Sequence, residues 1–152
     1  MNKIAFLVVS CAFAFGQLTV AAQTADSNPK HAFDSLPPVI VYGLEAYRDK
    51  GPDEAVRAWV KGGALEGRTE VLNQADTLRL AQNLYGPYRY FEIIGSHELS
   101  SRSKIIYMVF NYDKGPLFAK FVVYRSEEGW ILTRLEFNIR EDAILPPEAP
   151  LS

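Results

Sequence analysis

The amino-acid sequence predicts an α+β domain in which three N-terminal helices pack on a curved four-stranded antiparallel meander. Two observations carry this prediction. Between Pro87 and Ile139, four runs rich in β-branched and aromatic residues follow one another with only short turns between them. In the segment before them, from Val39 to Tyr85, apolar residues recur at helical spacing. A chain of 152 residues is long enough to bury one self-sufficient core.

Residues 1–22 have the composition of a secretory signal peptide. Lys3 provides a positive charge near the start, Ile4–Ala22 contains no charged residue, and Val20–Ala22 offers small side chains for cleavage before Gln23. We therefore expect an exported bacterial protein, periplasmic or secreted, with no membrane segment after cleavage. The same apolar run also fits a retained membrane anchor or lipidation at Cys11, and both alternatives stay open.

Composition argues against two classes of function. The net charge is −2 and the basic residues form no cluster, so no nucleic-acid partner is expected. The single cysteine, Cys11, would leave with the leader, and the two histidines, His31 and His97, are far apart in sequence. The mature chain therefore lacks the ligand spacing of a metal site, and we expect no metal and no cofactor.

The helices follow a flexible lead-in over residues 23–38. Two Gly-Pro pairs, Gly51-Pro52 and Gly86-Pro87, mark helix ends, because glycine accepts the left-handed conformation that ends a helix and proline cannot continue one. The first helix is predicted over Val39–Lys50, and the second begins at Pro52 and is ended by Lys61-Gly62-Gly63. The third is predicted over Glu70–Tyr85, with Thr69 as N-cap. Their apolar stripes comprise Ile40, Leu44 and Tyr47; Val56, Trp59 and Val60; and Val71, Ala75, Leu78 and Ala81, widened by Leu80 and Leu84.

The predicted strands are Tyr88–Leu99, Lys104–Tyr112, Leu117–Arg125 and Trp130–Ile139. Both alternating sets of residues in the second strand are apolar. In the fourth strand, one face is expected to carry Ile131, Leu135, Phe137 and Ile139 and the other Trp130, Leu132, Arg134 and Glu136. Three helices can cover one face of a sheet only, so the second face should meet a ligand, a partner or a second subunit. The domain is expected over residues 39–145, with a proline-rich tail over 146–152.

Several phrases of the chain resemble a known superfamily. They are Tyr42-Gly-Leu-Glu-Ala-Tyr-Arg-Asp-Lys-Gly-Pro, Ala55-Val-Arg-Ala-Trp-Val-Lys-Gly, Leu84-Tyr-Gly-Pro-Tyr, Tyr112-Asp-Lys-Gly-Pro and Gly129-Trp-Ile-Leu. With the order of helices before strands, they are similar to small exported bacterial members of the nuclear transport factor 2-like superfamily, the cystatin-like α+β roll. The resemblance implies a sheet bent into a cone with a pocket at its mouth, and a dimer through the sheet's outer face. Enzymatic members carry Asp, Tyr or His groups inside the cone, whereas others only bind.

A site of the ketosteroid-isomerase type would need a carboxylate base and a hydrogen-bond donor in one apolar cavity. Tyr107, Tyr112 and Tyr124 are candidate donors, and Glu92 and Glu136 are candidate bases. The same residues also fit ordinary strand packing and cross-strand ion pairs.

Two further groups of residues admit a structural explanation. Asp76 and Arg79 are three residues apart on a predicted helix, the spacing of an exposed salt bridge. Ser96, His97 and Glu98 are adjacent on a strand and cannot converge as a triad, because neighbouring strand residues point to opposite faces.

We therefore expect a non-catalytic domain of the bacterial envelope that binds a small apolar ligand or a protein partner, as a homodimer through the outer face of its sheet. The expected cavity-lining residues are Tyr47, Trp59, Tyr85, Tyr107, Phe110, Phe121 and Phe137. Two alternatives stay open: a cavity enzyme of the isomerase or dehydratase type that uses a carboxylate and a tyrosine, and an accessory module of an envelope assembly.

Overall fold

The helices of this chain pack on one face of a four-stranded antiparallel sheet, which confirms the predicted α+β class. The computed structural model describes Phe33 and residues 35–147. The elements are α1 (Pro38–Lys50), α2 (Pro52–Val60), α3 (Thr69–Leu72), α4 (Gln74–Tyr85), β1 (Tyr88–Ser100), β2 (Ser103–Tyr112), β3 (Pro116–Arg125), β4 (Trp130–Asn138) and a 3-10 turn (Glu141–Ala143). The expected leader, Cys11, His31 and residues 148–152 of the tail lie outside the described residues.

Both predicted glycine stops are confirmed. Gly51 follows α1 with a φ of 90°, and Gly86 follows α4 with a φ of 83°. The amide of Gly51 donates to the carbonyls of Ala46 and Tyr47, each at 3.1 Å, which satisfies acceptors that a helix end leaves open. These two positions fix where the chain turns from helix to helix and from helix to sheet.

The third predicted helix differs from expectation in three ways. It is divided at Asn73 into the single turn α3 and the longer α4. Thr69 is the first residue of α3, and Arg68 takes the cap position without a side-chain cap. Ala75, Leu78 and Ala81 are buried as predicted, but the side of α4 that carries Leu80 and Leu84 faces water, with 49% and 51% exposure. The buried stripe of α4 is therefore narrower than its sequence suggests.

The strands form a meander in the spatial order β1-β2-β3-β4, with every neighbouring pair antiparallel. One face, here called the inner face, meets the helices. On β2 it carries Ile106, Met108 and Phe110, and on β3 it carries Leu117, Ala119, Phe121 and Val123. The opposite face of the sheet is here called the outer face.

The predicted faces of β4 were wrong for Trp130, Ile131 and Leu132, which precede a β-bulge that interrupts the alternation. Val122 pairs with Arg134 whereas Val123 pairs with Leu132, so Thr133 is an extra residue in β4. Its hydroxyl donates to the carbonyl of Val122 at 3.1 Å. The bulge turns Leu132 to the inner face beside Leu135, although strict alternation would place them on opposite faces.

The packed part of the chain begins before the predicted boundary at Val39. Phe33 meets Phe91 of β1 edge-on, with ring centroids 5.0 Å apart, and Leu36 is 8% exposed. The end of the predicted lead-in therefore belongs to the domain.

Candidate functional site

Five of the seven predicted cavity residues belong to the buried core cluster. Tyr47, Trp59, Phe110, Phe121 and Phe137 are all buried, the least covered of them at 7% exposure. The indole of Trp59 lies 5.3 to 6.4 Å from the rings of its three phenylalanine neighbours, measured between centroids. Rings at such distances pack against one another, as in an ordinary protein interior.

The structure does not bring the other two residues into the same space. Tyr85 is half-buried at the end of α4. Its ring is tilted by 44° against the ring of Tyr112, with the centroids 6.5 Å apart. Tyr107 points to the outer face, opposite Lys120 of β3. None of the seven residues lines the two cavities at the turn end of the sheet or the cavity between α1 and β1.

Three tyrosines form a polar cluster at one edge of the core. The hydroxyls of Tyr47 and Tyr112 are 2.8 Å apart and share a hydrogen bond, and the ring of Tyr88 packs against both. Burial raises the pKa of Tyr47 to about 12. Burial also raises the pKa values of Tyr88 and Tyr112. The cluster thus keeps its phenols neutral, which suits a structural hydrogen bond.

We expect this cluster to make the fold sensitive to alkali. A raised pKa means that the folded state disfavours the phenolate. The stabilisation that the neutral phenol gives to the folded state is therefore complete below the unfolded pKa of about 10, and it is lost as the pH rises through about 12. Urea denaturation at pH 8, 10 and 11 should show the free energy of unfolding falling with pH. This decrease in the free energy of unfolding should be smaller for Tyr47→Phe than for the wild type. It should be the same as in the wild type for Tyr42→Phe, whose side chain is exposed. Equal slopes in all three proteins would contradict this prediction.

The outer face of the sheet carries a row of apolar side chains on the side away from the helices. Each of its apolar side chains on β2, β3 and β4 is half-buried, because neighbours on a pleated surface shield one another. They are Ile105, Tyr107, Val109, Phe118, Val122, Tyr124 and Ile131. On β1 the face continues to Tyr90, which is 57% exposed.

The charges on this face form pairs with balanced signs. Glu136 accepts hydrogen bonds from Arg134 and lies 3.9 Å from the ammonium group of Lys120. Glu92 accepts a hydrogen bond from the side-chain amide of Asn111 at 2.8 Å. The strands therefore place two cations and two anions on this face: Lys120, Arg134, Glu92 and Glu136. Glu136 already interacts with both cations.

The residues proposed for acid–base chemistry do not share an enclosed space. Glu92, Glu136, Tyr107 and Tyr124 all belong to the outer face, whereas Tyr112 is buried on the inner face with another tyrosine as its partner. This geometry does not supply the carboxylate and the donor that a cavity enzyme needs.

Asp76 and Arg79 form the predicted helix salt bridge as part of a surface network. Arg79 binds Asp76 at 2.6 Å and Asp53 of the neighbouring helix at 2.5 Å. All three side chains are well exposed, so the network links α2 to α4 at modest energetic value.

Among the described residues, no three His, Cys, Asp or Glu side chains lie close enough to hold a metal ion. No helix of the described part has the length and hydropathy needed to cross a bilayer.

Comparisons with known proteins identify a similar solved structure but no matching family model or curated protein. No protein-family model matches the chain, and no curated protein does. The chain is similar to a solved structure from Nostoc punctiforme, described as a domain of unknown function with a cystatin-like fold. The two share 17% identity over 77% of this chain and 78% of the other, with a TM-score of 0.45. A likeness of that degree carries no argument about function.

Sequence reasoning missed a polar cavity at the turn end of the sheet, where the β1–β2 and β3–β4 turns lie. Lys104, Arg125 and Trp130 line it together with serines of the β1–β2 turn. The signal in the sequence is Ser100-Ser101-Arg102-Ser103, a stretch that is also typical of a turn. Ser100 does have that role, because its hydroxyl accepts from the amide of Arg102 at 3.2 Å.

Proposed function

We propose that this chain is an exported, non-catalytic interaction domain that forms a homodimer through the outer face of its sheet. The observation that carries the proposal is the set of apolar side chains on the outer face of β2 and β3, extended by Ile131 of β4, that lies opposite the helices. Monomeric soluble proteins rarely leave a large apolar patch open to water. The leader-like N-terminus and the resemblance to superfamily members that dimerise through this face also support it.

The size of the face fits a stable dimer. Four strands spaced about 4.8 Å apart and about ten residues long, at about 3.3 Å each, give a projected area of about 600 Å². The accessible area of a pleated surface exceeds its projection, so the face approaches the roughly 800 Å² per partner of a standard interface. Two sheets packed in this way bury their apolar side chains against each other at about 10 Å separation.

Charge also favours a second copy as the partner. A face with two cations and two anions has no net charge, so two identical faces do not repel each other. Glu136 keeps its two cations in the interface, because both are on its own sheet. Such pre-paired charges lose less on burial than isolated ones. A strongly charged partner would find no complementary field on this surface.

None of the described cavities is well suited to a small apolar ligand, which weighs against the expectation that the domain binds one. The rings that were predicted to hold an apolar ligand contact one another in the core. The cavity between α1 and β1 has a mainly apolar lining, with Phe33, Leu44, Tyr88, Tyr90 and Phe91 beside three charged residues. Its volume of about 160 Å³ is below the roughly 300 Å³ at which ligand pockets begin. A partner on the sheet therefore accounts for more of the exposed apolar surface than a small molecule does.

The full chain, expressed with its leader and purified from the bacterial envelope, should sediment at twice its monomer mass at about 100 μM, as expected for a Kd of 10 μM or less. Val122→Asp should raise the Kd of the dimer at least about a hundredfold, because it would bury a carboxylate in the interface. In the monomer the new carboxylate stands opposite Arg134, so the fold tolerates it.

Leu84→Asp is the matched control. It also replaces an exposed apolar residue with a carboxylate, but on α4. It should leave the sedimentation unchanged. A wild-type monomer at 100 μM, or equal weakening by both variants, would overturn the proposed dimer. The intact mass of the purified protein tests cleavage after Ala22 in the same preparation.

A further inference from the structure

The turn end of the sheet holds two adjoining cavities of about 310 and 390 Å³. They share Ser101 and Arg125 as walls. The inner face continues here beyond the core, because Lys104 lies one inward position past the buried Ile106. The segment Ser35–Pro38, which leads into α1, forms the opposite wall. The first cavity is therefore a recess between the sheet and the start of the first helix, open at the turns.

Two cations in this recess hold no carboxylate. Within the described part of the chain, Lys104 and Arg125 form no ion pair within 4.0 Å, although Glu98 is the cross-strand neighbour of Lys104. Other arginines of the chain do hold carboxylates; Arg79 and Arg102 are examples. Unpaired cations that line a recess provide a positive local field in a protein of net negative charge.

Neutral donors and an aromatic ring surround the two cations. Ser100, Ser101 and Ser103 line the wall formed by the β1–β2 turn, and each carries a hydroxyl group. Trp130, the first residue of β4, is half-buried and leaves part of its indole on the recess. Hydroxyls and guanidinium groups together are the donors that recognise carboxylate and phosphate oxygens. An indole face suits a flat ring.

We propose that this recess, the turn-end recess, binds a small organic oxyanion, a ring that bears a carboxylate or a phosphate group. Lys104 and Arg125 neutralise the oxyanion, the serine hydroxyls donate to its oxygens, and the ring packs on Trp130. The recess lies on the inner side of the sheet, so ligand binding and dimer formation through the outer face use separate surfaces.

Substitution of Glu98 is expected to change the affinity in the opposite direction to most substitutions in a binding site. Its carboxylate lines the recess and opposes an incoming anion. Removal of this charge by Glu98→Gln should strengthen binding about threefold to tenfold, whereas most substitutions in a binding site weaken it. Strengthening by this one variant would distinguish an electrostatic site from general loss of structure.

Isothermal titration of the full chain at low salt tests the site with three probes: inorganic phosphate, phenyl phosphate and benzoate. Saturable binding of phenyl phosphate or benzoate is expected, and Lys104→Gln and Arg125→Gln should each weaken it about tenfold. Trp130→Leu should weaken phenyl phosphate but not inorganic phosphate, because only the former has a ring. Tighter binding of phenyl phosphate than of benzoate identifies a phosphorylated ligand, and the reverse identifies a carboxylate.

Arg57→Gln is the control, since this arginine is an exposed cation on α2 that pairs with Glu54 and does not line either cavity. It should leave all three titrations unchanged. The proposal is overturned if no probe saturates by about 10 mM, a Kd too weak for a specific site. It is equally overturned if Arg57→Gln weakens binding as much as Arg125→Gln does.

Discussion

Replacing Trp59 with alanine is expected to lower the free energy of unfolding by about 3–5 kcal/mol. The indole is 0% exposed and packs against three phenylalanine rings from β2, β3 and β4. Its ring nitrogen donates a hydrogen bond to the carbonyl of Ile40 at 3.1 Å. One side chain thus connects α2 to α1 and to three strands, and its loss leaves a cavity that a packed interior cannot close.

Urea denaturation followed by circular dichroism measures this change, at one fixed protein concentration because a dimer's stability depends on it. Trp130→Ala is the matched control, since it removes the same ring from a half-buried position. It should lower the free energy of unfolding by less than half as much as Trp59→Ala does. If the two variants lose equal stability, Trp59 is not the centre of the core. A domain of this size has about 5–15 kcal/mol in total, so Trp59→Ala is expected to approach the limit of folding.

The position of Trp59 in the core could be predicted from its helical stripe, but its role could not. A ring that lines a cavity and a ring that fills one have the same sequence pattern, because both positions must be apolar. Only the distances to Phe121 and Phe137 decide between them. The expectation of a ligand cavity therefore depended on the resemblance to a cone-shaped fold, and the residues themselves could not test it.

The ends of helices and strands were predictable where the backbone itself requires a residue type. Gly51 and Gly86 have positive φ, which other residues rarely adopt, so their places in the sequence fix two helix ends. The bulge in β4 has no such signal. It depends on a hydrogen bond from Thr133 to the neighbouring strand, a contact distant in sequence, and alternation alone therefore assigned Leu132 to the wrong face.

The turn-end recess shows a different limit of sequence reasoning. Serine and arginine in the stretch Ser100–Ser103 are turn residues, and the same residue types are donors for an oxyanion. Whether a turn also lines a recess depends on what stands opposite it, here the segment before α1 and the start of β4. Neither is near in sequence, so a local pattern cannot reveal the site.

Gly43→Ala provides a second large effect, and its sign separates two physical causes. In the interior of a helix, alanine is normally more stable than glycine by about 0.5–1 kcal/mol. At Gly43, however, an added Cβ would overlap the indole Nε1, Cδ1 and Cε2 of Trp59. The ring is buried and cannot move aside, so we expect a loss of about 3 kcal/mol or more, at or above the upper end of overpacking effects. Gly95→Ala is the control, since a Cβ there meets nothing within 4 Å.

The overlap can be isolated with a double-mutant cycle. In the Trp59→Ala background the indole is gone, so the methyl group added by Gly43→Ala enters empty space and only the helix preference remains. The same substitution should then stabilise by about 0.5–1 kcal/mol. The two results together predict a coupling energy of about 3.5 kcal/mol or more between residues 43 and 59, above the usual range of about 0.5–3 kcal/mol for contacting residues. If Gly43→Ala destabilises both backgrounds equally, the close approach of α1 and α2 does not depend on the indole.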